Sequence, residues 1–218
     1  MCGRYTVTVD KSTIERRFGA KFFTAQQDFE PTYNAAPSQQ LPIITTYAPS
    51  DITMARWGFL PEEWHNSRMR PQNNARLETA AEKPMFRKSF DGQHCLVIAD
   101  SFYEWQTIGT KKQPFRIMLK SGEPFAMAGI YARDHNDHHH FNFAILTTVA
   151  NEIMQPIHER MPVILPLRRE REWLPTGGTW FFSPFPSELM VAYPVTPKMN
   201  RASFNEPEAI APLEKVIV

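Results

Sequence analysis

The sequence has little cysteine. Cys2 and Cys95 are the only two in a chain of 218 residues. Two cysteines make a poor disulfide framework and are too few for a zinc site built from thiolates. Cys95 precedes the apolar run 96–98, so we expect it to pack as a small buried residue. We predict neither a metal site nor a bound cofactor.

Long apolar runs are also missing. No stretch approaches the roughly 20 apolar residues of a transmembrane helix, and Val9-Asp10-Lys11-Ser12 interrupts the region where a signal peptide would be apolar. We therefore expect neither a membrane span nor export, and we expect a cytoplasmic protein, associated with the nucleoid in a prokaryote. The apolar fraction of 42% and the charged fraction of 22% are ordinary for a globular chain. We expect a single domain over residues 1–218 and a monomer.

Net charge is nearly absent, but the basic residues are unevenly spread. The formal charge is +1, which neither favours nor excludes nucleic acid. Between positions 68 and 88 there are six basic residues against two acidic ones. This local excess fits either a solvated face or a surface for phosphates. The six are Arg68, Arg70, Arg76, Lys83, Arg87 and Lys88.

Runs of β-branched and aromatic residues, bounded by turn formers, recur along the whole sequence. Helix signals are fewer and shorter. We therefore predict an α+β fold that is mostly antiparallel β-sheet with a few short helices. The predicted strands cover 5–9, 41–47, 52–60, 94–105, 114–120, 125–133, 141–150, 161–166 and 189–195.

Three helices and one further turn are predicted. Ser12-Thr13-Ile14-Glu15 has the spacing of a capping box and predicts a helix over 12–18. Asn151 is a candidate cap for a second short helix, and a third is predicted over 167–174. Residues 85–90 are expected to form one turn after Pro84, because proline ends any helix that precedes it.

The start of the chain carries the most distinctive chemistry. Initiator methionine is normally removed when the next side chain is as small as that of Cys2. Removal would leave an α-amine and a thiol on adjacent carbons, with ordinary pKa values of about 8 and about 8.5. Such an aminothiol condenses with an aldehyde to an imine, and the thiol then closes a five-membered thiazolidine. The alternative is that Cys2 is an accident of a frayed terminus.

Two further polar residues stand in apolar surroundings. Glu104 lies within Phe102-Tyr103-Glu104-Trp105, and an inward orientation would raise its pKa into a range suited to general acid–base catalysis. The alternative is an outward-facing residue of an alternating strand. His158 could transfer protons near neutral pH, or it could be structural.

A cluster of histidines is a candidate metal site. His138-His139-His140, with His135 nearby, has the right residue type. Adjacent histidines on a strand or turn diverge, however. We therefore predict a solvated loop here.

Several spaced motifs resemble the SOS response-associated peptidase family. They occur in the family's order from residue 2 to about residue 165, and no single one would be specific. The motifs are Cys2-Gly3-Arg4, Tyr33-Asn34-Ala35-Ala36-Pro37, Trp57-Gly58, Asn74-Ala75-Arg76 with Glu78-Thr79, Phe102-Tyr103-Glu104-Trp105, and the run from His158 to Leu165.

The resemblance implies a β-rich, barrel-like fold with a positively charged groove and a role in the response to DNA damage. It implies that Cys2 bonds covalently to the ring-opened aldehyde of an abasic site in single-stranded DNA. Asn74 would orient the amine and the sugar oxygens, and Glu104 would transfer protons at both. His158 would be the acid–base for sugar-ring opening and for adduct reversal.

The resemblance implies phosphate contacts from Arg4, Arg76 and Arg160, and the chemistry of DNA binding adds aromatic and apolar candidates. Single-stranded DNA is bound by cations along its backbone and by aromatic or apolar surfaces for its bases. We expect contacts from Arg4, Pro37, Trp57, Trp64, Arg76, Arg87 and Arg160.

These observations predict a DNA–protein crosslinking enzyme that acts through a Cys2 thiazolidine. A weak lyase activity through the imine and removal of the residues preceding Cys2 by autopeptidase action are further expectations. Two alternatives stay open. One is an N-terminal-nucleophile hydrolase in which the Cys2 thiolate attacks an amide, and the other is a non-covalent module that binds single-stranded DNA.

Overall fold

The computed structural model describes residues 2–23, 29–66, 68–133, 141–177 and 183–213. Strands dominate this part of the chain, most of their pairings are antiparallel, and the helices are short. The predicted α+β class is therefore confirmed. None of the described helices is long and apolar enough to cross a membrane.

The elements of the described ranges are numbered in chain order. The strands are β1 (Arg4–Val7), β2 (Lys21–Phe22), β3 (Thr32–Ala35), β4 (Gln40–Thr45), β5 (Asp51–Trp57), β6 (Asn74–Arg76), β7 (His94–Ala99), β8 (Ser101–Ile108), β9 (Lys111–Leu119), β10 (Phe125–Arg133), β11 (Phe141–Val149), β12 (Arg160–Pro162), β13 (Ile164–Leu165) and β14 (Met190–Pro194). The α-helices are α1 (Lys11–Phe18), α2 (Leu77–Ala80), α3 (Pro84–Gly92) and α4 (Leu167–Thr176). Short 3-10 turns cover Glu62–Trp64, Ser187–Leu189, Pro197–Asn200 and Pro207–Ile210.

The larger sheet closes into a barrel. Strands β11, β10, β7, β4 and β5 are neighbours in that order, and β5 also pairs with β11 in parallel. Barrel strands β7 and β10 are nearly continuous apolar runs, because helices α4 and α3 cover their outer faces. Gly129 of β10 is required by this packing, since a Cβ there would lie 2.8 Å from Cys95 Sγ. Cys95 is fully buried, as predicted.

The smaller sheet holds β1 beside β8. Its order is β14-β9-β8-β1-β3, and β1 is antiparallel to both of its neighbours. Residues 94–105, predicted as one strand, form β7 in the barrel and β8 in the smaller sheet. Asp100 makes the corner between them, because its carboxylate accepts hydrogen bonds from Thr6 Oγ1 and from N and Oγ1 of Thr8. The single predicted strand is therefore two strands, one in each sheet.

Helix α1 begins one residue earlier than predicted, because Asp10 caps it and Ser12 does not. The Asp10 carboxylate accepts from Thr13 N at 3.0 Å and from Ser12 Oγ at 2.6 Å. Glu15 does not reach back as a capping box requires, and its carboxylate accepts from Phe22 N at 3.1 Å. The predicted capping box is wrong because an ionised carboxylate is a strong acceptor for the free amides of a helix start.

The remaining helix predictions differ in outcome. Asn151 Oδ1 accepts from Met154 N at 3.1 Å, but residues 152–157 form hydrogen-bonded turns and not the predicted helix. The helix predicted over 167–174 is α4, and the turn after Pro84 extends into α3. Helix α4 packs on β7 and α3 packs on β10, so both cover the barrel.

Candidate functional site

Cys2 lies two residues before Arg4, the first residue of β1, and is fully buried. Its Sγ atom is 3.7 Å from the carbonyl oxygen of Arg4. Strand β1 pairs with β8 through Arg4 and Tyr103, and continuing that antiparallel register by one residue sets Gly3 opposite Glu104. The strand pairing therefore brings Cys2 to the part of β8 that carries Glu104.

Asn74 reaches Cys2 from the barrel. It begins β6, which lies parallel to β11 with Asn74 opposite Ile145. Its Nδ2 donates to the Cys2 carbonyl oxygen at 2.8 Å. Its Oδ1 is buried and accepts no hydrogen bond from the described residues. The Asn74 side chain thus fixes Cys2 and keeps one acceptor for a group that binds beside it.

Glu104 is a buried carboxyl, with 2% of its surface exposed. Of the two orientations that the sequence leaves open, the inward one is present. Burial raises the pKa of Glu104 above its ordinary value of 4.5, and the charge of His158 acts in the opposite direction. A carboxyl with a raised pKa can both take and return a proton near neutrality.

The Cys2 thiol is electrically coupled to Glu104. Burial raises the pKa of the thiol well above its ordinary value, and the Glu104 charge raises it further. The thiolate is the reactive form of cysteine. Burial and the Glu104 charge therefore both favour the protonated thiol of Cys2.

His158 lies in the loop between β11 and β12, and the main chain orients its ring. Its Nδ1 accepts from Arg160 N at 2.9 Å. In the neutral ring this leaves the proton on Nε2. Gln106 Nε2 donates to Pro156 O at 2.9 Å, which ties the same loop to β8 two residues beyond Glu104.

The four predicted catalytic residues meet although they come from separate parts of the chain. Asn74 donates to the Cys2 carbonyl oxygen, and the charge of Glu104 acts on the Cys2 thiol. His158 lies near enough to Glu104 for a charge on its ring to lower the pKa of that carboxyl. The site therefore combines a held nucleophile with a carboxylate and an imidazole that can move protons.

Trp57 ends β5 and is fully buried, so its contact with DNA stays a prediction that requires the ring to become exposed. Its ring centroid lies 5.1 Å from that of Tyr5, and it stacks on Phe143 at 6.5 Å. Its Nε1 donates to Asn73 O at 2.8 Å. The ring packs here because the barrel interior accepts its area and Asn73 satisfies its N–H. Trp57 therefore supports β1 and the residue before Asn74.

Trp57→Phe is expected to lower the free energy of unfolding by about 2–4 kcal/mol, because it removes the bond to Asn73 O and leaves a cavity beside Tyr5. Urea unfolding followed by circular dichroism measures the change. Trp64→Phe is the matched control, since Trp64 is only partly buried and is expected to lose less. Equal losses in the two variants would contradict a supporting role for Trp57.

The guanidinium groups of Arg160 and Arg4 form hydrogen bonds with other residues of the protein. Arg160 forms a two-point ion pair with Glu78 at 2.7 and 2.8 Å and donates to Thr147 O at 2.6 Å. It is 7% exposed, and a buried guanidinium needs such acceptors. Its phosphate contact stays a prediction. The Arg4 guanidinium is partly buried and donates to Asn34 Oδ1 at 3.1 Å. A phosphate would have to share Arg4 with that contact.

The other two predicted arginines are exposed but lie at different cavities. Arg76, two residues after Asn74, lines a cavity of about 550 Å³ with Val149 and Gln155. Arg87 of α3 lines another cavity, with Thr176 of α4 among its residues. The structure therefore brings Arg76 to the site and leaves Arg87 on the side of the barrel that the helices cover.

Pro37 and Trp64 are partly exposed. Pro37 follows β3, and Trp64 ends the 3-10 turn that begins at Glu62. DNA contacts by these two residues, and by Arg76 and Arg87, stay predictions.

Asn34 is a supporting residue that the sequence reasoning missed. It is fully buried in β3, and its Nδ2 lies 2.9, 3.0 and 2.9 Å from the main-chain oxygens of Met199, Arg201 and Phe204. The available signal was an amide within an apolar strand, in the motif over 33–37. Such a residue needs buried partners, but the sequence does not name them.

Within the described ranges, no group of three or more histidine, cysteine, aspartate or glutamate side chains is arranged to hold a metal ion. His138-His139-His140 and His135 lie outside the described residues. The solvated loop predicted there stays a prediction.

Known proteins share this sequence and fold. A sequence profile described as SOS response associated peptidase (SRAP) matches residues 1–202. The abasic site processing protein YoqW of Bacillus subtilis is 38% identical over 96% of this chain and 99% of its own. The abasic site processing protein HMCES of Xenopus tropicalis is 27% identical over 97% of this chain and 78% of its own.

Solved structures agree with the sequence comparison. The crystal structure of a protein from Bacteroides thetaiotaomicron superposes with a TM-score of 0.86 at 28% identity, and it covers 97% of this chain and 100% of its own. The profile and the relatives together span the candidate site and both sheets. The chain therefore belongs to the SOS response associated peptidase (SRAP) family.

Proposed function

We propose that this protein shields abasic sites in single-stranded DNA through a covalent thiazolidine on Cys2, once Met1 is removed. The 2.8 Å bond from Asn74 Nδ2 to the Cys2 carbonyl oxygen carries the proposal. It fixes the residue that would bear both amine and thiol beside the buried Glu104 carboxyl. The relatives suggest the substrate, since YoqW and HMCES are named for abasic site processing.

The reaction is a condensation with no change of oxidation state. The Cys2 amine adds to the aldehyde carbon of the ring-opened sugar and gives a carbinolamine. Loss of its hydroxyl as water gives the imine. Sγ then bonds to the former aldehyde carbon, and the thiol proton ends on the nitrogen. One water is released for each thiazolidine formed.

Glu104 would accept and donate the protons that move during these reaction steps. The amine must lose a proton to attack, the carbinolamine oxygen must gain one to leave, and the thiol must lose one to add. A carboxyl with a raised pKa can do each in turn. Asn74 holds the Cys2 main chain, which directs the amine, and its Oδ1 can accept from the sugar or the amine.

His158 would open the sugar ring. An abasic sugar is mostly a closed hemiacetal, and opening it requires a proton on the ring oxygen and removal of one from the hydroxyl. The neutral ring carries its proton on Nε2, because Nδ1 accepts from Arg160 N. The same groups would reverse the adduct when water adds to the imine.

The burial of the thiol favours this chemistry over an N-terminal-nucleophile hydrolase. A hydrolase needs the Cys2 thiolate to attack a poorly reactive amide, and both burial and the Glu104 charge disfavour a thiolate. In the thiazolidine sequence the amine attacks first. The sulfur adds only to an imine carbon, which is a better electrophile.

Single-stranded abasic DNA matches the surroundings of the site. An abasic nucleotide has no base to unstack, so its sugar can reach a buried residue at low cost. Arg76 is exposed next to Asn74 and would contact a phosphate. The imine can also lose the sugar's C2′ proton and expel the 3′ phosphate, which accounts for a weak lyase activity. Removal of the residues before Cys2, by this protein or by an aminopeptidase, gives the same terminus.

A denaturing gel tests the proposal. Protein whose intact mass shows loss of Met1 is mixed with a single-stranded oligonucleotide that contains one abasic site. A shifted band is expected for the wild type, with complete loss in Cys2→Ala. Cys95→Ala is the matched control and is expected to keep the band, because Cys95 lies in the barrel strand β7.

Two results would contradict the crosslinking function. One is a wild-type sample without a shifted band, and the other is a band that survives Cys2→Ala. Salt-sensitive binding without any covalent species would indicate the non-covalent module instead.

A further inference from the structure

The segment over residues 196–204, which we call the strap, follows β14 and includes the 3-10 turn Pro197–Asn200. Met199 of the strap is fully buried, and it packs in a small apolar cluster with Tyr103 and Val195. This cluster is separate from the barrel core. It fixes the strap against the strand that carries Glu104.

Arg4 links the strap to β1. Its NH1 donates to Met199 O at 3.1 Å, and its NH2 donates to Asn200 O at 3.4 Å. Arg4 is two residues after Cys2, and its own carbonyl oxygen accepts the weak bond from Cys2 Sγ. A shift of Arg4 would therefore move the sulfur and the amine.

Asn34 holds Arg4 and the strap together. Its Oδ1 accepts from Arg4, and its Nδ2 contacts three main-chain oxygens within the strap, from Met199, Arg201 and Phe204. A buried amide that is satisfied on both sides keeps one orientation. The Asn34 amide on β3 therefore binds Arg4 through its oxygen and the strap through its nitrogen.

Trp105 links the strap to β8. Its Nε1 donates to Asn200 Oδ1 at 2.7 Å, and Trp105 directly follows Glu104. The strap therefore holds a residue close to the nucleophile and a residue next to the carboxyl. The positions of Cys2 and Glu104 therefore both depend on the strap.

We propose that Asn34 is a positioning residue for the reaction of Cys2, because it sets the separation between the Cys2 amine and Glu104 through Arg4 and the strap. This inference rests on the proposed crosslinking function. Small displacements at a reacting centre are costly, since a misplacement of about 1 Å can slow a reaction about 100-fold. Asn34 is fully buried and offers no surface to DNA, so we expect its effect to fall on the rate.

Asn34→Ala is the first test. The first-order rate of adduct formation at saturating abasic oligonucleotide is expected to fall about tenfold or more. The Kd for an oligonucleotide with a tetrahydrofuran in place of the abasic sugar, which has no aldehyde, is expected to change less than about twofold. A merely structural role would leave the rate of the folded fraction unchanged.

Gln113→Ala is the matched control for stability. Gln113 is 2% exposed and donates to Val195 O at 2.8 Å, just before the strap. Gln113→Ala should lower the free energy of unfolding about as much as Asn34→Ala does, but it should form the adduct at the wild-type rate. An equal loss of rate in both variants would overturn the specific role of Asn34.

Asn200→Ala keeps the inference testable if Asn34→Ala fails to fold. Asn200 is exposed, and its loss cuts the strap from Trp105 without opening a buried cavity. A fall in rate of about threefold or more is expected. Wild-type rates in this variant would overturn the inference, whereas a wild type without any adduct would overturn the crosslinking function itself.

Discussion

Glu104→Gln is expected to slow adduct formation by about 10²–10⁴-fold, the usual contribution of a positioned acid–base group. Glutamine keeps the shape of the side chain but cannot take or return a proton. Single-turnover gels with protein in excess measure the rate constant. The Kd for the tetrahydrofuran oligonucleotide is the control and should stay near that of the wild type. A rate within about twofold of the wild type would remove Glu104 from the mechanism.

The pH dependence of the same variant identifies the group. In the wild type both the amine, with an ordinary pKa of about 7.7–8.0, and Glu104 must be unprotonated. Because burial raises the pKa of Glu104 above 4.5, the logarithm of the rate should fall with a slope of about 2 below that raised pKa. Glu104→Gln should show a slope of about 1. Equal slopes would assign the proton transfer to another residue.

Glu104→Gln should also stabilise the fold. A carboxyl whose pKa is raised by burial costs free energy in its charged form. That cost is absent below the ordinary pKa of 4.5 and is complete above the raised one. The melting temperature of the variant should therefore exceed that of the wild type at pH 8, and the gain should shrink toward pH 5. Each kcal/mol regained corresponds to about 2–4 °C in a chain of this size.

Cys2→Ser is expected to abolish the adduct that survives denaturation while keeping the capacity to form an imine. Serine leaves the α-amine in place but has no thiol to close the ring. The wild-type band should form without a reductant, and the Cys2→Ser band should form only when borohydride converts the imine to a stable amine. Gels run with and without borohydride measure both, after intact mass has shown loss of Met1.

A chain that keeps residues before Cys2 is the matched control for Cys2→Ser. Its α-amine is not on Cys2, so it should give no band in either gel although its thiol is intact. A stable Cys2→Ser adduct without borohydride would mean that the sulfur is not used. A band from the extended chain would mean that the amine is not used.

Much of the architecture follows from local sequence pattern. Alternating and continuous apolar runs predicted most barrel strands, because such runs suit a sheet that is buried on one or both faces. The split of residues 94–105 was not predictable, since both halves have strand-like sequences. The contacts of Asp100 with Thr6 and Thr8 stabilise the corner between them. Those contacts join residues more than ninety positions apart.

The candidate site shows the same limit more sharply. Residue chemistry singled out Cys2 and Glu104, because an aminothiol and a carboxyl among aromatic residues are unusual. Residue type alone does not reveal the internal partners of Trp57 and Arg160, since an indole and a guanidinium suit DNA as well as they suit Asn73 or Glu78. Which partner such a side chain takes depends on tertiary packing.

The complete burial of Cys2 has a further effect on the unreacted protein. Peroxides and alkylating reagents consume thiols that are exposed and ionised. A sulfur that is enclosed and protonated reacts slowly with both. In the proposed reaction it adds only after the imine has formed. The burial of Cys2 therefore protects its thiol from reagents that would consume an exposed one.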